Sequence, residues 1–496
     1  MSERIASDPA ELDRVGAATA VPPATRPEDR LGVGEKAAVG AGTVALYYGC
    51  AGVKNLVVPV YQMVLGLSPT LVGLLLAAPR LWDGVTDSAV GIFSDNYRSR
   101  LGRRKPVIVV GALLQAVAFG LLWMAPHGIG QTWTAAYLLG ALFLFYTCYS
   151  VFSVPFMSLS YEMTPDYDER TRLAVWGGFF AKIAEISYSW VFWVASLAIF
   201  GSVLAGIHIM GWVVAVVVMA ICGAIPGLFV RERYLSKATR QPKVQLAASL
   251  RAVAGNRAFM VLAALAVLQV MAGMIASNTD YYLLVYHVCG GSLGEGSKWK
   301  GILSTAYAVV GIASLYPINW LAARFGKTST LMMVFGLVFC GGFVKWVVFT
   351  PGNPWRIVAD ALICGPIWPA LQVLTPAMFA DVCDEDELNH GLRREGIFSA
   401  VFSWVQKCGY SLGSLASGVA LDLTGFSNAA GGHQRPGTIL GLRLLLAVST
   451  SVWAAVAIAL LGMYPLGGAR ARRTRELLEA RRGLVNAPSS PLSPST

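Results

Sequence analysis

About twelve apolar stretches, each close to the length that carries an α-helix across a bilayer, run through the chain and constrain its fold more than any other feature. They lie near residues 38–64, 69–94, 106–126, 133–161, 173–200, 205–230, 259–288, 300–322, 329–349, 356–382, 395–422 and 438–465. Inside hydrocarbon no water satisfies backbone N–H and C=O groups, so a crossing segment is a helix or a strand of a closed barrel. The alternation over about 10 residues that marks a barrel strand is absent. At 55% hydrophobic and 14% charged residues, the composition exceeds what one soluble core needs. The expectation is an all-α integral membrane protein.

The 496 residues carry a net charge of +11, but the basic residues sit in short segments beside the apolar runs, which argues against nucleic acid as a partner. Arg98, Arg100, Arg103, Arg104 and Lys105 follow the second run, Arg231 to Lys243 the sixth, and Arg324 and Lys327 the eighth, so all fall on one side. The opposite loops hold only Lys298, Lys300 and Arg435. By the positive-inside rule both termini are expected in the cytoplasm, with the chain multi-pass in the plasma membrane. The eight cysteines form no C-x-x-C pair and read as small buried hydrophobes.

Residues 1–37, polar and Pro-rich with no signal-like pattern, are expected to be a disordered cytoplasmic tail. A weak repeat divides the remainder: RSRLGRRKP (98–106) returns as ARFGKTST (323–330), and DYDERTR (166–172) is echoed by DEDELNHGLRRE (384–395). Residues 38–230 and 259–465 are therefore expected to be two six-helix bundles, joined by a basic linker over 231–258. Residues 466–496 form a basic cytoplasmic tail, in which 469–482 read as a helix on the anionic membrane surface.

The second run contains the most telling residues. Ser68 caps it, Pro69 opens it, and Asp83 and Asp87 fall near mid-membrane. At i, i+3 and i+4, Asp83, Thr86 and Asp87 share one face. Two carboxylates one turn apart in a low dielectric cannot both stay charged without a cation between them, so the site binds a proton or a metal ion, the alternative being that Arg80, one turn earlier, neutralises Asp83 and the group serves helix packing.

From Trp82 to Pro106 these residues match a W-D-x-x-x-D and R-S-R-x-G-R-R pattern, and Ala380 to Lys407 match A-D-x-x-D-x-x-E-x-x-x-G-x-R-R-E ending in a lysine. On both the chain resembles the glycoside-pentoside-hexuronide:cation symporters of the major facilitator superfamily. The resemblance implies the major facilitator fold, about 12 transmembrane helices in two six-helix bundles. It also implies that Asp83, Thr86 and Asp87 ligate Na+ or H+, with Ser150 of the motif YSVFSVPFMSL supplying a further hydroxyl. Thr86 stands where a member of the family has Asn, which leaves Na+ and H+ both open. Lys407 takes the position of a buried lysine that couples the two halves.

The implied solute contacts are less complete. Tyr47 falls at the depth of the family's acidic sugar ligand, Ser153 replaces another sugar-binding acid, Met157 replaces a stacking aromatic, and Gly178 stands where an arginine is expected. From the residues themselves, Tyr47, Lys54, Asn55 and Gln62 share a face of the first run, Lys182 and Glu185 offer polar groups or pair with each other, and Trp368 lies between Pro366 and Pro369. Tyr281 is a candidate for sugar stacking, Tyr282 for the interfacial aromatic belt, and Lys345 and Asp360 for an ion pair near the outer face. Asp95, Arg98, Arg103, Glu162, Asp381 and Arg394 are expected to form a latch at the cytoplasmic end.

The reading is a symporter coupling Na+ or H+ to a small polar organic solute, a sugar or glycoside, with membrane lipids around a monomer and no cofactor beyond the coupling ion. A lysolipid-like amphiphile is the alternative solute. An integral-membrane enzyme is disfavoured, because His127, His287, His390 and His433 lie near span ends and His208 stands alone.

Overall fold

The computed structural model describes residues 30–99, 102–126, 128, 130–164, 166–232, 253, 255–390, 394–427, 430–468, 470–474 and 477–478. Twelve long helices follow one another: α1 Val33–Val64, α2 Pro69–Asn96, α3 Lys105–Leu122, α4 Gln131–Glu162, α5 Tyr167–Ala195 and α6 Val203–Phe229, then α7 Arg257–Val288, α8 Leu293–Phe325, α9 Lys327–Val348, α10 Pro354–Asn389, α11 Glu395–Leu423 and α12 Pro436–Gly462. Among the described residues, nine helices are long and apolar enough to cross a membrane. The other three, α2, α5 and α11, carry Asp83 and Asp87, Lys182 and Glu185, and Lys407 along their length.

Local chemistry sets the helix starts. Ser68 Oγ accepts from Leu71 N, Asp166 Oδ1 from Glu169 N at 2.8 Å, and Asn256 Oδ1 from Phe259 N at 3.0 Å, each satisfying a first-turn donor. Glu232 caps α3 from outside its own helix, accepting from the backbone N–H groups of Arg103, Arg104 and Lys105 at 2.8–3.0 Å. Between α8 and α9 the chain turns on Gly326 at φ +85°, which other residues avoid.

Some boundaries move. Helix α1 begins at Val33, inside the segment expected to be a tail, because Leu31 is buried and Lys36 is anchored to Glu169 at 2.8 Å. Helix α8 begins at Leu293 on the Ser292 cap, so Lys300 lies two turns inside a helix rather than in a loop. In the linker, 233–252 and 254 lie outside the described residues, as do Arg100 and 391–393 of the charged loops. The chain after Gly462 packs back on the second bundle, with Arg470 2.7 Å from Glu385 and Leu478 buried; 469, 475–476 and 479–496 lie outside the described residues.

Apolar side chains of α1–α6 form two cores and those of α7–α12 a third, while a fourth joins Val58 and Met63 of α1 to side chains of α7–α12. The two bundles meet along α2 and α11, where a Cβ on Gly73 would lie 2.5 Å from Ser414 O and one on Gly418 2.3 Å from Pro69 O. Such glycines let helix backbones touch. Hydrogen bonds then seal the end remote from the chain termini: Tyr282 Oη to Gln62 at 2.7 Å, Thr70 N to Asp422 at 2.9 Å and Trp190 Nε1 to Thr305 at 3.0 Å. Gly73→Val therefore disfavours this closed arrangement by about 1–3 kcal/mol, a shift of roughly five- to hundred-fold toward opening at that end. A thiol placed at Ser277, which lines the cavity behind this seal, should label faster from that side in the variant, and an unchanged rate in folded protein defeats this account of the seal.

Candidate functional site: a carboxylate pair facing a lysine beneath a central cavity

Asp83 and Asp87 project from adjacent turns of α2, and Ser150 of α4 meets them. Asp83 is buried, 3% exposed, and its Oδ1 accepts from Ser150 Oγ at 3.0 Å. Thr86 Oγ1 and Ser150 Oγ are 2.9 Å apart, so the four oxygen-bearing side chains form one cluster. From α11 the Lys407 ammonium enters it, 2.5 Å from Asp87 Oδ2 and 3.4 Å from Asp83 Oδ2. One ammonium thus reaches both carboxylates across the bundle interface. Asp87 Oδ1 remains buried without a hydrogen-bond partner. The oxygen set, with that unused acceptor, suits a small hard cation.

Arg80, one turn before Asp83, does more than neutralise it. Its Nη1 is 3.7 Å from Asp83 Oδ2, while its Nη2 donates to Cys50 O and its guanidinium lies 4.6 Å from the Tyr146 ring centroid. The acceptor comes from the π-helical turn Tyr48–Gly52 of α1, a local widening of the kind found at functional sites. The pattern of α2 showed Arg80, but the turn in α1 that receives it left no mark in the sequence.

Alongside lies a cavity of about 440 Å³ between the bundles. Of the expected solute contacts, Tyr47, Asn55, Lys182 and Trp368 line it, together with Lys54. Ser153 and Met157 are not among the lining side chains: Ser153 is buried in α4 and Met157 is exposed. Lys182 is held by Glu185 at 2.7 Å. Tyr281 bonds Ser297 and Tyr282 bonds Gln62, both buried, so Tyr282 is part of the seal rather than of an interfacial belt.

The cavity gains residues that sequence reasoning assigned elsewhere or passed over. Lys300, counted as a loop residue, reaches Asp280 at 2.5 Å. Lys345 reaches Asp360 at 2.5 Å, and Tyr307 donates to the same carboxylate oxygen at 2.7 Å. Asp360 is fully buried, and Lys345 and Tyr307 line the cavity, so the expected ion pair forms near the outer ends of α9 and α10 and belongs to the cavity wall. Tyr410, Gln269 and Gln372 complete the polar lining.

The latch residues split. Arg103 and Arg104 hold Glu162 and Asp95, with Arg104 Nη1 2.7 Å from Glu162 and Nη2 3.1 Å from Asp95; Arg98 is exposed. Asp381 pairs with Lys327 at 2.6 Å and Arg394 with Asp386 at 2.7 Å. Each of these pairs lies within one bundle, so they brace the bundle ends rather than bridge them. Arg104, 5% exposed, was the residue hidden among neighbouring arginines.

Residues 38–468 match the family model described as MFS/sugar transport protein. The chain belongs to that family. It is a multi-pass membrane transporter of the major facilitator superfamily, not an enzyme. Among relatives, it is 23% identical to a protein of Escherichia coli (strain K12) named putative glycoside/cation symporter YagG, covering 91% of this chain and 96% of that one. It is 22% identical to the isoprimeverose transporter of Lactiplantibacillus pentosus, over 74% of this chain and 75% of that one. Its fold is that of a solved mutant of the nucleoside transporter NupG, with a TM-score of 0.62 at 14% identity over 86% of this chain and 99% of the other.

Proposed function

We propose that the chain accumulates a sugar or glycoside across the plasma membrane by symport with Na+ or H+. Asp83, Thr86, Asp87 and Ser150 bind the cation, and Tyr47, Asn55 and Trp368 contact the solute. The observation that carries the reading is Lys407 between the two aspartates: the ammonium holds the cation's place in the empty carrier and links the two bundles. A cation arriving at Asp87, whose side chain is a third exposed, displaces that ammonium and changes the interaction across α2 and α11. Differential binding of this kind is what couples an ion gradient to alternating access. The family model's sugar description and the names of the glycoside/cation symporter and isoprimeverose transporter favour a sugar over a lysolipid-like amphiphile.

The test is uptake into proteoliposomes of labelled glycosides under an imposed Na+ or H+ gradient. Accumulation under one of the two gradients supports the reading; equilibration alone under both defeats it. The arrangement is open toward the cytoplasm if both termini lie there. In a Cys-depleted background, a thiol at Lys298, exposed near the start of α8, should react with an impermeant reagent in intact cells while one at Arg103 is protected. The reverse pattern inverts the topology.

A further inference from the structure

The charges around the cavity and the carboxylate site nearly cancel. Lys182 is paired with Glu185, Lys300 with Asp280 and Lys345 with Asp360, while Arg80 and Lys407 stand against Asp83 and Asp87. One ammonium is left over. Among the described residues Lys54 has no carboxylate partner, and its contact is the Tyr410 ring, 5.9 Å from Nζ to centroid. Arg80 lies over the same ring at 5.6 Å, so a second cation crowds it rather than compensating it.

Snorkelling does not account for Lys54. Ten residues of α1 separate it from Val64, roughly 15 Å of helix, beyond the reach of a lysine side chain. That end of the bundle is also closed by Gln62 and Tyr282. An uncompensated ammonium in the membrane interior is expensive, and it faces a cavity large enough for a solute.

On the reading that the cavity carries a sugar or glycoside, we infer that Lys54 binds an anionic group of that solute. The substrate class is then an acidic sugar or glycoside bearing one carboxylate, sulfate or phosphate. Tyr47, Tyr188, Tyr410 and Trp368 offer apolar ring faces for the pyranose, and Asn55 and Gln372 offer amides for its hydroxyls. The anion completes the charge balance of the cavity, and Lys182, already held by Glu185, is not its partner. A neutral solute would leave the Lys54 charge buried and unpaired in the occluded carrier.

The experiment uses the purified full chain with Na+ saturating, or at low pH, and measures binding of matched pairs. These are p-nitrophenyl β-D-glucoside against its glucuronide and p-nitrophenyl β-D-galactoside against its galacturonide, with glucose 6-sulfate and glucose 6-phosphate against glucose to distinguish the anion. The acidic member of at least one pair should bind ten-fold tighter or more. Lys54→Gln should weaken that acid by roughly ten- to hundred-fold and the neutral member by less than about three-fold, as loss of a charge-assisted hydrogen bond requires. Lys54→Arg, which keeps the charge and controls for folding, should retain acid binding. Neutral members that bind as tightly, a panel in which no acid binds, or equal losses for both members on Lys54→Gln each overturn the inference. Failure of the coupling reading looks different: acid binding that depends on Lys54 but is indifferent to Na+, H+ and Asp83→Asn leaves Lys54 in place and removes the cation site.

Discussion

Asp83→Asn and Asp87→Asn each abolish accumulation of solute against its gradient, while exchange of solute across the membrane continues. Asparagine keeps the volume and one oxygen of the aspartate but removes the charge that offsets the desolvation of an incoming cation. In the empty carrier it also halves the charge that Lys407 neutralises, since that ammonium is 2.5 Å from Asp87 and 3.4 Å from Asp83. Exchange needs only the cavity and the rocking of α1–α6 against α7–α12, whereas uphill movement needs free energy contributed by the cation. In proteoliposomes, accumulation should fall by at least about ten-fold to simple equilibration, the ratio expected when a term of about 1.4 kcal/mol or more is lost. Asp83→Asn should be the less stable of the two, because Asp83 is buried and bonded to Ser150. If both variants still concentrate solute under a Na+ or H+ gradient, the carboxylates are structural.

Lys407→Gln separates a second role. With the ammonium gone, two carboxylates on successive turns of α2 face each other with only Arg80 at 3.7 Å from one of them. A cation then meets no competitor, and its affinity should rise by roughly ten-fold or more, since breaking one member of a buried charge pair leaves several kcal/mol of uncompensated charge. The empty carrier has no neutral form to return with, so net uptake should drop by about the same factor or more while cation-loaded exchange persists. Cation titrations followed by tryptophan fluorescence, with uptake and exchange on the same preparation, measure both. A weaker cation affinity in Lys407→Gln would mean that the lysine builds the site instead of occupying it.

The class of protein and its two-bundle plan were legible in the sequence because bilayer length and apolar content are properties of single segments. The same holds for Asp83, Thr86 and Asp87, which share a face through helical spacing alone, and for the match that brought Ser150 and Lys407 to the same site. Those positions needed one helix or one motif at a time. The cavity needed several. Lys300 looked like a loop residue until the Ser292 cap set the start of α8, and Lys345 and Asp360 became a cavity wall only when α8, α9 and α10 packed around Tyr307. Tyr282 read as an interfacial aromatic because nothing local told of Gln62, 220 residues earlier, whose carbonyl it meets. The latch expectation set Asp381 and Arg394 against the Arg98–Arg104 segment of the other bundle, but Lys327 and Asp386 supplied nearer partners within the second bundle, and electrostatic pairing follows distance in space. Composition and periodicity thus determined which segments cross the membrane and which of them carry charge, since both are written residue by residue along each helix. Which charges are cancelled, and that among the described residues the Lys54 charge is not, was decided only by tertiary structure, because a partner for a buried ammonium is chosen by the packing of helices far apart in the sequence.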